Sequence, residues 1–459
     1  MVDVFFNTVK TVQSNVGLVK YPALIAGSAI ILKKMKKMKK RKQEEANVLK
    51  TAPAKKAKGV LFGESKGKIV YSPVSAEGHI AVFGGSGLGK TSAILVPTLQ
   101  SWTGTSFTID ISGDICKNIN DPDKLVYEPS NIHTTPYNVF GAIDDLQTVT
   151  ERTQALEELA FLLMPESKNM NDVSLFYLTE GRKILTAALI AFYSQGKDFI
   201  EICEAVVTSG WKGLFREIDN VGNTKASAYL TSFEGNSEQT IAGCKQSADT
   251  ALKLFALNDI VKQTLHRPKK GEMAIDPAML EEHSIYLLLE DSKLELYAPL
   301  LQIISAQTLT FFSNRDFEAQ NNILFALDEF ASLGKLNITP ALRKLRKKHV
   351  RIMILTQSMA DIDLIYSQKE REAMLNNFNY KVVLGASDTE TQEYFAKLIG
   401  YTYVPRKSIS RTGESVTRTE SDTKDFAVDP ASLAHLKDEL ILLHPNGYTK
   451  LKKNFYHKK

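Results

Sequence analysis

The chain has 459 residues, enough for two or three domains and a sizeable core, and its 43% apolar and 24% charged residues are the balance of a globular protein. Three cysteines without Cys-x-x-Cys spacing exclude a disulfide scaffold and a cysteine zinc site, and fit a reducing cytosol. The net charge of +5 is uneven: residues 33–58 hold twelve Lys and Arg against two Glu, and the last ten residues add five Lys, so the body is acidic and is not a uniformly basic nucleic-acid binder.

Residues 16–32 are mostly apolar and run into Lys33-Lys34-Met35-Lys36-Lys37-Met38-Lys39-Lys40-Arg41-Lys42. As a helix this stretch spans about 25 Å, slightly less than a hydrocarbon core, with Lys20 and Tyr21 suited to an interface. A secretory signal carries its charges before the apolar run, whereas here they follow it. The expectation is a membrane anchor over 1–32, a basic juxtamembrane tether over 33–58 and a cytoplasmic body. An amphipathic surface helix or a basic tail is the alternative.

Residues 79–83 read as a short apolar strand. Gly84-Gly85-Ser86-Gly87-Leu88-Gly89-Lys90-Thr91 follows at once, then helical sequence. GxxxxGK[ST] between strand and helix is the phosphate-binding loop: small residues let backbone N–H groups turn toward phosphates. Lys90 supplies a point charge for the β- and γ-phosphates, and Thr91 a hydroxyl for Mg²⁺, so ATP and Mg²⁺ are the expected cofactors.

A second strand is predicted over 107–111, where Asp110 and Asp114 either line the nucleotide crevice or cap a turn. From 144 to 265 the apolar spacing is helical throughout, and strands resume at 284–290 and 322–327. The predicted fold is therefore α/β, a RecA-like P-loop core over 59–143 and 266–459 with an all-α domain inserted over 144–265. The run Ile323-Leu324-Phe325-Ala326-Leu327 ends in Asp328-Glu329. At the carboxyl end of a buried parallel strand, Asp328 would hold Mg²⁺ and Glu329 would orient and deprotonate the attacking water.

A basic helix, residues 342–348, carries Arg343 and Arg346. A solvated face and an arginine that reaches a neighbouring subunit's γ-phosphate both fit it. The strand 350–355 leads to Gln357, placed to sense the γ-phosphate. Further strands are predicted at 380–385 and 439–443. The Ser/Thr/Arg-rich stretch 405–424 reads as a disordered surface loop, with a mobile hairpin as the alternative.

Taken together, these residues resemble the type IV secretion coupling proteins of the TraG/TraD group, the conjugation ATPases. The likeness covers residues 60–456. It is carried by the P-loop with Ile94-Leu95-Val96-Pro97-Thr98-Leu99-Gln100-Ser101-Trp102, by Asp328-Glu329-Phe330-Ala331-Ser332-Leu333-Gly334-Lys335-Leu336, by Leu355-Thr356-Gln357-Ser358 and by Asn446-Gly447-Tyr448. The resemblance implies a homo-hexameric ring around DNA, driven by ATP hydrolysis, that recruits a relaxase-bound strand to a type IV secretion channel at the cell membrane. It also implies that Arg346 is the trans-acting arginine and Gln357 the strand-end glutamine. Where the family usually shows Asp-x-Lys-Gly-Glu, this chain has Asp110-Ile111-Ser112-Gly113-Asp114. An FtsK/HerA-like translocase and a nucleotide-switched receptor without processive hydrolysis are the competing readings.

Overall fold

The computed structural model describes residues 49–166, 170–412 and 415–458; the predicted anchor and most of the predicted tether lie outside them. Among the described residues, no helix is long and apolar enough to cross a membrane.

Strands β1 (Lys50–Ala52), β2 (Gly59–Ser65), β3 (Lys68–Pro73), β4 (His79–Phe83), β5 (Thr105–Asp110), β6 (Leu125–Tyr127), β7 (Ile285–Leu288), β8 (Ile323–Leu327), β9 (Val350–Thr356), β10 (Phe378–Val383), β13 (Glu439–His444) and β14 (Gly447–Lys452) form one twelve-stranded sheet; β11 (Tyr401–Thr412) and β12 (Ser415–Phe426) pair separately. The order is β1-β3-β2-β14-β13-β10-β4-β9-β8-β5-β7-β6. From β10 to β6 every pairing is parallel, and from β1 to β10 every pairing is antiparallel. The parallel strands β4, β8 and β9 are buried at every position, the expected signature of strands covered on both faces. Apolar clusters lie on both sides: Phe83, Phe107, Phe325 and Ile354 contribute to one, Ile80, Val82, Met353 and Leu355 to the other.

Two expectations need correction. The tether predicted over 33–58 gives way to regular structure at Lys50, because Thr51 and Ala52 add an edge strand to Val70 and Ile69 of β3. The stretch 405–424, read as a disordered loop, belongs to the antiparallel ladder from Tyr401↔Phe426 to Thr412↔Ser415. Its residues 401–406 are all exposed, so that stretch shows none of the buried–exposed alternation of a half-buried strand.

Between β6 and β7 the regular structure is helical, with long helices at Val149–Leu163, Asp172–Ser194 and Glu238–Leu257. Their starts follow the sequence rules: Thr148 and Glu151 make a reciprocal capping box, and Asn171 and Ser237 cap the other two. The excursion is closed at its base. Arg267 donates through Nε and Nη2 to Asp144 at 3.0 and 2.9 Å, Tyr193 donates to the same carboxylate at 2.7 Å, and the Arg267 backbone N–H bonds Asp198 at 2.8 Å. These helices share one continuous apolar cluster with the sheet.

Candidate nucleotide site

The phosphate loop is held where β4 ends. Gly84 N–H donates to the Thr356 carbonyl at the end of β9 (3.1 Å), and Leu384 N–H donates to the Phe83 carbonyl (2.8 Å), so the loop is pinned from both neighbouring strands. A side chain at Gly84 would meet Leu384 at 3.0 Å, and Gly89 adopts φ +99 beside Phe455, so both invariant positions of the motif require glycine for space or conformation. Gly85 and Leu88 are half-buried, Ser86 and Gly87 exposed, and Lys90 buried. A π-helical turn, Lys90–Leu95, continues into the helix Val96–Ser101, which carries Pro97 at its start.

The strand order puts β8 two positions from β4, and the carboxylates at its end come back to the loop. Thr91 Oγ1 lies 3.4 Å from Oδ1 and 3.5 Å from Oδ2 of Asp328, and Lys90 Nζ lies 3.2 Å from Oε1 of Glu329. Glu329 sits at φ 44, ψ 52, a left-handed conformation that a non-glycine residue adopts only when its surroundings impose it. This turn aims the Glu329 carboxylate at the loop rather than onward along the strand.

Asp328 is only 4% exposed. Burial, reinforced by the neighbouring Glu329 charge, pushes its carboxyl up to about 7, with Lys90 opposing and Asp110 adding to the rise. A buried carboxylate whose side-chain partner is one long hydroxyl contact is under-compensated, and the Thr91 hydroxyl beside it completes an all-oxygen set suited to Mg²⁺.

The other predicted residues fall in distinct places. Gln357 is exposed just past β9, at the same carboxyl edge as the loop. Asp110 is fully buried and caps a turn: it accepts from Gly113 N–H and Cys116 N–H, both at 2.8 Å, and from Ser112 Oγ at 3.2 Å. Asp114 is exposed in the first turn of the helix Asp114–Lys117. Arg343 is exposed on the helix Ile338–Leu345. Arg346 follows that helix and pairs with Glu77 at 3.1 Å. Glu77 precedes β4, whereas the phosphate loop follows it, so Arg346 stands about 20 Å along the strand direction from its own chain's loop.

One side chain unremarked in the sequence fixes that basic helix. His79 opens β4, fully buried; its Nδ1 accepts from Ile352 N–H at 2.9 Å, so its Nε2 donates to the Leu342 carbonyl at 2.8 Å. Burial holds it neutral, down to about 4. The only sequence signal is a polar residue starting an apolar strand.

A doubly covered parallel sheet with a glycine-rich loop, its lysine and two strand-end carboxylates at one edge defines a P-loop nucleotide-binding protein. The family model for type IV secretory system conjugative DNA transfer matches residues 30–459, and the chain belongs to that family. It is 23% identical over 423 residues to Protein VirD4 of Rhizobium rhizogenes, covering 87% of this chain and 62% of that protein. It is 22% identical over 411 residues to Conjugal transfer protein TraG of Escherichia coli, covering 80% of this chain and 63% of that one. The chain thus spans somewhat less than two thirds of the length of these relatives. Among solved structures it is similar to the unbound bacterial conjugative coupling protein TrwBdeltaN70, with TM-score 0.68 and 21% identity over 88% of this chain and 91% of that one. It is also similar to plasmid coupling protein TrwB in complex with ADP and Mg²⁺, with TM-score 0.65 and 19% identity over 82% and 85%.

Proposed function

We propose that this chain is the coupling ATPase of a conjugative type IV secretion system. It binds ATP with Mg²⁺, hydrolyses it, and drives relaxase-bound DNA into the secretion channel as a membrane-tethered homo-hexamer with its body in the cytoplasm. The observation that carries the reading is the meeting of Lys90 and Thr91 with Glu329 and Asp328 around one point. Family membership and the coupling proteins among the relatives support the cargo and the channel.

In this reading Lys90 leaves Glu329 for the β- and γ-phosphate oxygens, and the freed carboxylate orients and deprotonates the attacking water. Thr91 and Asp328 would hold Mg²⁺, which would supply charge neutralisation for the phosphates. Gln357, at the end of the strand beside β4, reads the γ-phosphate. Arg346 cannot serve its own site across the length of β4, and serves the neighbour's in the ring.

Lys90→Ala and Glu329→Gln test this together, with ATP turnover and DNA transfer measured on the same preparations. Wild-type turnover should rise with DNA and with protein concentration. Lys90→Ala should lose nucleotide binding, turnover and transfer, and Glu329→Gln should keep binding while losing turnover and transfer. Full transfer by Glu329→Gln without turnover would replace the motor with a nucleotide-switched receptor.

A further inference from the structure

The residues considered so far account for the phosphates and leave the nucleoside without a site. Its direction is set by the sheet. The γ end of the triphosphate is marked by Lys90, Thr91 and the carboxylates of β8, which lie on the β9 side of β4. The loop's backbone amides hold the α- and β-phosphates, so the nucleoside leaves the loop on the opposite side, toward β10, β13 and β14.

The segment after β14 lies there. A Cβ at Gly89 would be 2.9 Å from Phe455 Cε1 and 3.5 Å from its Cζ, so the ring edge rests on the loop's last glycine. The segment is anchored on both sides of that ring. Lys453 N–H bonds the Asp438 carbonyl at 2.8 Å, Asn454 is buried, and Tyr456 packs against the apolar cluster beneath the loop helix. Phe455 itself is half-buried, and the exposed ring of His457 stands 5.5 Å from it at 45°. An anchored aromatic pair with accessible surface, next to the α-phosphate end of the loop, offers a flat apolar face and a polar rim.

We propose that Phe455, with His457 beside it, forms the nucleobase wall of the ATP site, the purine stacking on this pair while the loop holds the phosphates. The inference rests on reading the loop as an ATP site. Stacking reads the face of a base rather than its edge, so the wall adds affinity for the nucleoside part alone.

Calorimetry of the full chain with Mg·ATP and with Mg·tripolyphosphate separates the two. Phe455→Ala and Phe455→Leu should each weaken Mg·ATP about tenfold and leave Mg·tripolyphosphate unchanged, with leucine keeping the bulk against Gly89 and the wild-type melting temperature. Phe455→Trp should bind Mg·ATP like wild type, and its added fluorescence should be quenched by Mg·ATP and not by Mg·tripolyphosphate. A Phe455→Leu protein that binds both probes like wild type, or loses both in equal proportion, overturns the wall. Lys90→Ala should lose both probes. If it binds both normally, the phosphate-loop reading fails and takes the wall with it; if it loses both while Phe455→Leu is unaffected, the wall alone fails.

Discussion

Lys90 and Glu329 form an ion pair at 3.2 Å that joins the phosphate loop to the left-handed turn after β8. A lysine only 5% exposed needs a counter-charge, and the carboxylate that supplies it is the proposed base. Under the proposed function, triphosphate binding would exchange one anionic partner of Lys90 for another and release Glu329 at the step where a base is required. Glu329→Gln should lower ATP turnover by about 10²–10⁴-fold. It should also bind Mg·ATP at least as tightly as wild type, because the competing charge is gone. Equilibrium binding and steady-state turnover on one preparation check both parts, and a variant that binds tenfold more weakly would show that the carboxylate helps to build the phosphate site.

Asp328 and His79 give the body two opposed responses to pH. The Asp328 carboxyl, up at about 7, holds its proton in the folded chain where the unfolded chain has lost it, so its stabilising contribution is full below the unfolded value and is lost as pH rises toward 7. His79, down at about 4, is neutral in the folded chain where the unfolded chain is charged, so its contribution is present above the unfolded value and is lost as pH falls toward 4. Each swing is on the order of 3–4 kcal/mol. Between pH 4 and 6.5 they largely cancel in the wild type. Asp328→Asn should therefore melt higher than wild type at pH 8 and lose stability steadily as pH falls from 6.5 to 4. His79→Gln should show the reverse slope, gaining stability as pH falls from 7 to 4. Melting temperatures of the three proteins across pH 4–8, without Mg²⁺, read this directly, and parallel curves would refute it.

The Asp144–Arg267 pair predicts a local effect. Its two-pronged contact is partly buried and closes the base of the helical excursion, with Tyr193 on the same carboxylate. Arg267→Ala leaves that carboxylate with Tyr193 alone and deprives two loop carbonyls, Gly196 and Lys197, of the Arg267 donor. It should lower unfolding free energy by about 1–3 kcal/mol and raise amide exchange first in the helices between Asp144 and Arg267. Exchange mass spectrometry showing uniform loosening of the sheet instead would mean that the pair does not act as the clamp of the insertion.

The contrast between what the sequence revealed and what it hid follows chain distance and burial. The loop Gly84 to Thr91 was readable because its chemistry needs adjacent residues between a strand and a helix. Asp328 and Glu329 were readable because five consecutive apolar residues mark a buried strand, and two acids at its end gain meaning from the phosphate loop elsewhere in the chain. His79 on Leu342 and Ile352, Arg346 on Glu77, and Phe455 on Gly89 were not readable, since each depends on which strands and segments become neighbours. The hairpin of β11 and β12 was legible only as the alternative to a disordered loop, for a different reason. Its two strands pair only with each other and residues 401–406 stay exposed, so that stretch lacks the alternation that marks a half-buried strand.

Arg346 yields the prediction that reaches beyond one subunit. Held by Glu77 before β4, it lies at the end of the strand remote from its own phosphate loop, so under the proposed function it would act at a neighbouring subunit's site. Arg346→Ala should assemble and bind Mg·ATP normally while its turnover falls about 10³-fold or more, the usual scale for a trans-acting arginine. Mixing it with Glu329→Gln separates trans from cis action. A Glu329→Gln subunit has no base but retains the arginine, and an Arg346→Ala subunit has an intact site but no arginine to give. In mixed rings some intact sites then receive an arginine from a base-deficient neighbour, so turnover should rise well above the sum of the two separate proteins. If Arg346 acted within its own chain, every site in the mixture would lack either its base or its arginine, and mixing would restore nothing.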